Sequence, residues 1–511
     1  MPLRTPSIDL SSLRLPETLD DHPGLLVGWS MEHEHPSRTI GFNYGDPAKT
    51  PKTGYVDPIQ LSREGHLITL APTGAGKGVG CIIPALLKHE GPVIVIDPKG
   101  ENVAVTARRR KAMGQQLIVL DPMGITAFPS ATLNPLDAID IQSPTAVDDV
   151  ASVVDSLWSS SLVESRDRFW VSRAKNLVTA LILHTLQKEL PERRSLTTVR
   201  RMILNTMAIN ANRSDLSASD QMFMDELTRS PLAEVRLAAE SILNPAAETF
   251  GGIAAFALEL LDFLKGPILK QATQQSSFSL DAITRGDPLS IYLVLPPHML
   301  ESHGRLLRLW VSTFVSAITR RRRQPDRPTL FILDEAAQLG GLPQLRQAIT
   351  LLRGYGLQTW SFWQDKSQLE MLYPSDWRTM INNCRVLQCF GALNMNAARD
   401  VAELTGFDDP SGVLDLGDNE MVLQLAGDEA VVARLPNYLQ DEPFTGQFDA
   451  NPYYDKRQSI LPVAHPLADE SATGVWRSRS LEDNPPAPKL PKGDPDDLLA
   501  RLLRDYRAAS A

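Results

Sequence analysis

Between His66 and Glu90 the chain runs from five mostly apolar residues, HLITL, through the glycine-rich segment APTGAGKGVG into CIIPALLKHE, which has helical spacing. A strand, a glycine loop and a helix in that order point to a parallel α/β fold. Glycines let successive backbone N–H groups converge on phosphate oxygens, the following helix offers its positive dipole end, and a lysine at position 77 can bridge terminal phosphates. The expected phosphate cradle is Thr73, Gly74, Ala75, Gly76, Lys77, Gly78 and Val79. The segment departs twice from the pattern G-x-x-x-x-G-K-[ST]: Ala71 stands at the first glycine, and Gly78 replaces the hydroxyl residue that normally ligates magnesium. Read alone, it could also be a glycine turn that only caps a helix.

A second half-site favours the phosphate reading. The apolar run Thr329–Leu333 ends in Asp334-Glu335, which places two carboxylates at the C-terminal edge of a sheet, where α/β proteins bind ligands. Asp334 is expected to hold a magnesium shell and Glu335 to polarise an attacking water. An acidic N-cap for the next helix is the plain alternative, and the two roles are compatible.

Six runs read as strands: HLITL, PVIVI, LIVL, SIYLVL, TLFIL and QTWSFW. Helical stretches separate them, so a mostly parallel sheet follows. Between about Asp137 and Thr284 the strand-like runs give way to helical spacing, as in RFWVSRAKNLVTALILHTL, which predicts an inserted all-α domain over 137–284. The nucleotide-binding domain is then split into 61–136 and 285–440. Residues 1–60 read as a loosely structured lead-in, NEMVLQLAGDEAVVARLPNY as a hairpin turning at Gly427-Asp428, and 441–511 as a Pro-rich tail.

Composition narrows the function classes. A net charge of −10 argues against a surface that coats DNA uniformly and confines nucleic-acid contact to a local groove or lumen. Three cysteines, Cys81, Cys384 and Cys389, form no CxxC pair and suggest neither a disulfide framework nor a zinc knuckle. No apolar stretch reaches the roughly 20 residues of a spanning helix, and the N-terminus has no secretory pattern, so the expectation is a cytoplasmic chain that is soluble or held at a membrane by a partner.

A longer set of ordered matches resembles the coupling-protein family of type IV secretion and conjugation, the TraG/TraD-like relatives of FtsK and HerA motors. It includes APTGAGKGVG with IPALL, VIDPKGEN at 95–102, DRFWVSRAKNL at 167–177, FILDEAAQLG at 331–340, LLRGYGLQTWSFWQDKSQLEMLY at 351–373, Trp377 to Cys384, and the terminal hairpin. The GKG ending is one that members of this family often carry, whereas their usual N-terminal membrane helices have no counterpart here. The resemblance implies a RecA-like P-loop NTPase with an inserted all-α domain, an ATP hydrolase that uses Mg2+, and a homo-hexameric ring. It implies as partners the inner-membrane components of a type IV secretion machine and, as cargo, single-stranded DNA, secreted protein or a relaxase–DNA conjugate. Under it, Gln364 resembles the polar sensor of the γ-phosphate, and Arg353 an arginine offered to a neighbouring subunit's nucleotide. Thr73 or a water would replace the missing hydroxyl at magnesium.

Each assignment has a plainer counterpart. Gln364 could be a surface amide, Arg353 a surface charge beside Arg346, and Asp97, Lys99 and Glu101 a turn and helix cap rather than site-shaping or subunit-contact residues. Arg320–Arg323 reads as a helix end with dipole-matched cations before DNA contact. Phe169, Trp170, Trp310, Trp360 and Trp363 read as core anchors. A soluble DNA-translocating motor of the FtsK/HerA kind and a nucleotide-switched protein-docking module are the competing functions; the carboxylate Glu335, which a pure switch does not need, speaks against the second.

Overall fold

The computed structural model describes Leu19 and residues 24–30, 42–43, 57–62, 64–158 and 167–453. Their strands are β1 (Leu25–Ser30), β2 (Phe42–Asn43), β3 (Asp57–Leu61), β4 (His66–Leu70), β5 (Val93–Ile96), β6 (Gln116–Leu120), β7 (Leu289–Leu293), β8 (Thr329–Leu333), β9 (Leu357–Trp363), β10 (Cys384–Cys389), β11 (Glu420–Leu425) and β12 (Val431–Arg434). They form one sheet in the order β2-β3-β1-β12-β11-β10-β4-β9-β8-β5-β7-β6. From β10 to β6 every pairing is parallel. From β10 through β11, β12 and β1 to β3 and β2 every pairing is antiparallel.

The six apolar runs singled out in the sequence all lie in the parallel part. They read as continuous apolar stretches because both faces are covered. Alternation assigns Val93 and Val95, Leu330 and Ile332, and Leu67 to one face, and Ile94 and Ile96, Phe331 and Leu333, and Ile68 to the other. The first face packs on α1 (Ile83–Lys88) and α2 (Glu101–Ala112), through Ala85, Leu86, Val103 and Ala107.

Among the described residues, eight α-helices lie between β6 and β7: α3 (Ala146–Ser156), α4 (Arg168–Lys188), α5 (Leu196–Ala211), α6 (Ala218–Thr228), α7 (Ala233–Leu243), α8 (Ala247–Leu260), α9 (Pro267–Ala272) and α10 (Leu280–Arg285). At their centre lies α4, which buries Leu177, Val178, Leu181 and Ile182 against α3, α5, α7 and α8. The insertion is welded to the sheet rather than hinged on it. One apolar cluster runs from Leu181 and Ala254 to Ile94 and Ile118, through α11 (Leu300–Thr319), whose Trp310 Nε1 donates to the Leu133 carbonyl at 3.2 Å.

Several expectations need correction. The lead-in holds strands, because LLVGWS and DPIQL supply enough apolar side chains, including the fully buried Trp29, to extend the sheet beyond the hairpin. Phe169 is 53% exposed and is no core anchor, although Trp310, Trp360 and Trp363 are buried. Arg321 does not decorate a helix end. It is buried and donates to the carbonyls of Ile283, Tyr355 and Gly356 and to Thr329 Oγ1, tying the end of α11 to the starts of β8 and β9.

Residues 441–453, part of the expected tail, are also packed. Asp441 accepts from Trp29 Nε1 at 3.0 Å and from Arg434, the Asp449 amide donates to the Val105 carbonyl at 2.9 Å, and Arg108 binds Asp449 at 2.7 Å. Tyr438, Phe444 and Phe448 interrupt this stretch with apolar bulk that buries against Ile83, Leu87 and Val105. A tail without aromatics has nothing with which to do this.

Candidate functional site

Because β9 lies between β4 and β8, the segments that leave the carboxyl ends of these three strands converge. The loop after β4 turns through Gly74 at φ 85° and Gly76 at φ 92°. A Cβ at either position would meet nothing within 4 Å, so it is backbone conformation and not crowding that calls for glycine there. The Gly80 amide donates to the Gly76 carbonyl at 2.7 Å, and the Ile83 amide donates to the Gly78 carbonyl five residues back, which makes a wide turn over Gly78–Ile82 that runs into α1. Such widened turns recur at functional sites.

Lys77 is 8% exposed, and its Nζ donates to the Ala71 carbonyl at 3.1 Å, which holds the ammonium over the loop. The same Nζ lies 3.6 Å from Glu335 Oε1. Glu335 is the one non-glycine with positive φ among the described residues, at 54°. Holding a residue in that region costs about 1–3 kcal/mol and occurs where the surroundings over-determine it. Here the twist aims the carboxylate back toward Lys77, and Gln364 Nε2 from the end of β9 donates to Glu335 Oε2 at 3.3 Å. Burial pushes the neighbouring Asp334 carboxyl up to about 7, aided by Glu335 and Glu101 and opposed by Lys77.

These groups open onto a cavity of about 610 Å³, lined by Thr73, Gly74, Gly76, Lys77, Gly78, Val79, Lys99, Glu101, Asp334 and Glu335, and on the far side by Tyr438, Leu439, Phe448, Asp449, Ala450 and Asn451. Ala75 does not line it; its side chain sits under Gly391, where a Cβ would come within 2.7 Å. Of the residues after β5, Lys99 and Glu101 reach the cavity. Asp97 is buried and caps α2, accepting from the amides of Asn102 at 3.3 Å and Val103 at 2.9 Å. Burial raises its carboxyl to about 7, the amide donors lower it, and Glu101 and Asp334 raise it further.

Arg353 is elsewhere. It stands in the turn before β9, while Gln364 follows that strand, so a seven-residue strand, on the order of 20 Å long, lies between the two. It lines a second cavity of about 630 Å³ at the amino ends of the strands, with Lys88, His89, Arg109, Gln60 and Gln358. Arg346 pairs with Asp376 at 3.4 Å. The far wall of the first cavity was not foreseen from the sequence. The signal that could have found it is the interleaving of Tyr438, Phe444, Phe448 and Tyr453 in a stretch otherwise polar and proline-containing.

Hard oxygen donors beside a lysine suit a divalent cation shared with phosphates. Among the described residues no three His, Cys, Asp or Glu side chains are close enough to hold a metal by themselves. Mg2+ is bound by one or two carboxylates plus substrate phosphates, a set to which Asp334 and its neighbouring carboxylates could contribute. No helix among the described residues is long and apolar enough to cross a membrane.

The model of the family "Type IV secretory system Conjugative DNA transfer" matches residues 38–408. The conjugal transfer protein TraG of Escherichia coli is 26% identical over 391 residues, covering 73% of this chain and 60% of that protein. The type IV secretion system-coupling protein VirD4 of Bartonella quintana is 25% identical over 350 residues, covering 67% of this chain and 53% of the relative. The chain thus spans a little over half the length of these relatives. Among solved structures, the plasmid coupling protein TrwB in complex with ADP and Mg2+ superposes with a TM-score of 0.53 at 16% identity, over 72% of this chain and 85% of that one. TrwB with a non-hydrolysable ATP analogue gives 0.54. At that identity the likeness speaks for a shared RecA-like P-loop fold.

Proposed function

The chain belongs to the type IV secretory system conjugative DNA transfer family, and from that premise we propose that it is a coupling ATPase that drives DNA, protein or a relaxase–DNA conjugate into a type IV secretion apparatus. The observation that carries this reading is the junction of Lys77, Glu335 and Gln364, with contacts of 3.6 and 3.3 Å, on the floor of a cavity large enough for a nucleoside triphosphate.

Lys77 and the backbone of Thr73 to Val79 hold the phosphates, and Asp334 holds the magnesium. Mg2+ held there would neutralise charge on the phosphates. Glu335 accepts a proton from the attacking water, and Gln364 orients both that carboxylate and the γ-phosphoryl group. Tyr438, Leu439 and Phe448 offer an apolar wall to the nucleoside.

Arg353 lies at the opposite edge, too far to serve its own site, and acts on the nucleotide of the next subunit in a homo-hexameric ring. Such a cation contributes on the order of 10³–10⁵ in rate. The inserted helical domain faces cargo, and inner-membrane components of the apparatus supply the docking site. ATP turnover by the purified protein, measured with and without single-stranded DNA at several salt concentrations, tests the reading. Magnesium-dependent turnover that rises with DNA, less so as salt increases, is expected. Binding without turnover under all conditions would make the chain a nucleotide-switched docking module instead.

A further inference from the structure

The loop that cradles phosphate here lacks the hydroxyl that ordinarily follows its lysine. In the general pattern that serine or threonine binds magnesium directly. Gly78 stands in its place, lines the cavity, and has no left-handed φ. A Cβ built on it would meet a single atom within 4 Å, Glu101 Oε1 at 3.9 Å. A hydroxyl at position 78 would reach one bond beyond that Cβ, and magnesium sits about 2.0–2.1 Å from each ligand oxygen. One carboxylate oxygen of Glu101 therefore borders the small volume in which a hydroxyl-bound magnesium would lie.

The carboxylate is held there from behind. Glu101 opens α2, whose start is fixed by the Asp97 cap. Its Oε2 accepts from Asn451 Nδ2 at 3.3 Å, while Oε1 is the oxygen that faces Gly78. Two residues on, the Tyr453 hydroxyl donates to the Lys99 carbonyl at 2.8 Å, so the loop after β5 is buttressed by a segment beyond the 38–408 span of the family match. Asp334 faces the same cavity from the end of β8.

We infer that the Glu101 carboxylate takes the place of the missing P-loop hydroxyl, as a ligand or water-bridged holder of the magnesium that accompanies the nucleotide. This rests on the nucleotide site proposed above. It assigns the two carboxylates different tasks: Asp334 approaches the ion from the strand that carries the water-activating Glu335, and Glu101 approaches from the loop side.

The test uses the full chain and a non-hydrolysable ATP analogue, titrated calorimetrically with Mg2+ and again with EDTA, so that the readout is binding and not turnover. Wild type is expected to bind more tightly with Mg2+. Glu101→Gln should lose about tenfold or more of that gain, while its affinity in EDTA stays unchanged, which also reports that the cradle is folded. Gly78→Ser introduced into the Glu101→Gln protein should recover most of the Mg2+ dependence, because the hydroxyl returns to the position the carboxylate had filled. Full Mg2+ dependence in Glu101→Gln, or loss without rescue by Gly78→Ser, overturns the inference and leaves Glu101 as an acidic residue matched to the α2 dipole. If the wild type binds the analogue equally well with Mg2+ and EDTA, the metal assignment fails as a whole. If it binds in neither, the nucleotide site itself is wrong.

Discussion

The two edges of the parallel sheet are built from the same strands and are physically unlike. At the carboxyl ends of β4, β8 and β9, Lys77, Asp334, Glu335 and Glu101 line one cavity, and burial, with smaller contributions from Glu335 and Glu101, holds Asp334 well above the usual carboxylate range. At the amino ends the buried cations are saturated by carbonyls. Arg321 donates to Ile283, Tyr355 and Gly356, and Arg110 to Leu86, His89 and Gly91. The histidines there stay neutral: burial, and secondarily Arg353, lowers His66 to about 4, and burial with Arg110 and Arg327 lowers His89 to about 3. At one edge the buried arginines are closed off by carbonyls, and at the other Lys77 and the carboxylates open together onto the cavity. Arg353 is exposed on the closed edge, as is Arg327, which pairs with Glu90.

Substitutions at the open edge should act on function more than on folding. Lys77→Ala is expected to reduce ATP turnover at least about 10³-fold, since the terminal phosphates lose their fixed cation; wild-type rates in the purified variant would remove Lys77 from the site. Glu335→Gln should cut turnover by about 10²–10⁴ while nucleotide affinity holds, because the amide keeps the shape and loses the base. If binding vanished together with turnover, Glu335 would be structural. Phe448→Ala should weaken ATP about tenfold and leave inorganic tripolyphosphate unaffected, by loss of stacking on the nucleoside wall. Equal losses for both ligands would place Phe448 in the fold rather than in the site.

The closed edge should respond through stability and pH. His89 is neutral in the folded chain down to about pH 3, whereas the unfolded residue gains its proton near 6.5. Its contribution is therefore fully present above 6.5 and lost progressively as pH falls toward 3. The wild type should lose about 1.4 kcal/mol relative to His89→Gln between pH 7.5 and 5.5. Denaturant melts of the two proteins at both pH values measure this difference, and a gap that does not change with pH would show that His89 titrates normally.

What could be read from the sequence divides along the same lines. The strand ends carrying Lys77, Asp334 and Gln364 were legible because a continuous apolar run, then a glycine or an acid, is a local pattern, and topology brings such ends together. Arg353 was legible as an arginine before a strand, yet only the order β4-β9-β8 shows that it faces away from its own nucleotide. The wall from Tyr438 to Asn451 was not legible. It meets Val79 and Glu101 across more than 300 positions of sequence, and its residues look like the tail they precede. Arg321 misled because a run of four basic residues resembles a solvated helix end, while one of them turns inward to carbonyls.

The claim that joins the two edges is that one subunit's Lys77 works with its neighbour's Arg353. Lys77→Ala and Arg353→Ala, each inactive alone, should regain part of the wild-type ATP turnover when co-assembled, because some interfaces then pair an intact loop with an intact arginine. The mixture should exceed the sum of its separate components, and its specific activity should rise with protein concentration. A mixture proven to co-assemble that stays at the level of the separate variants would contradict the shared site and return Arg353 to an ordinary surface charge.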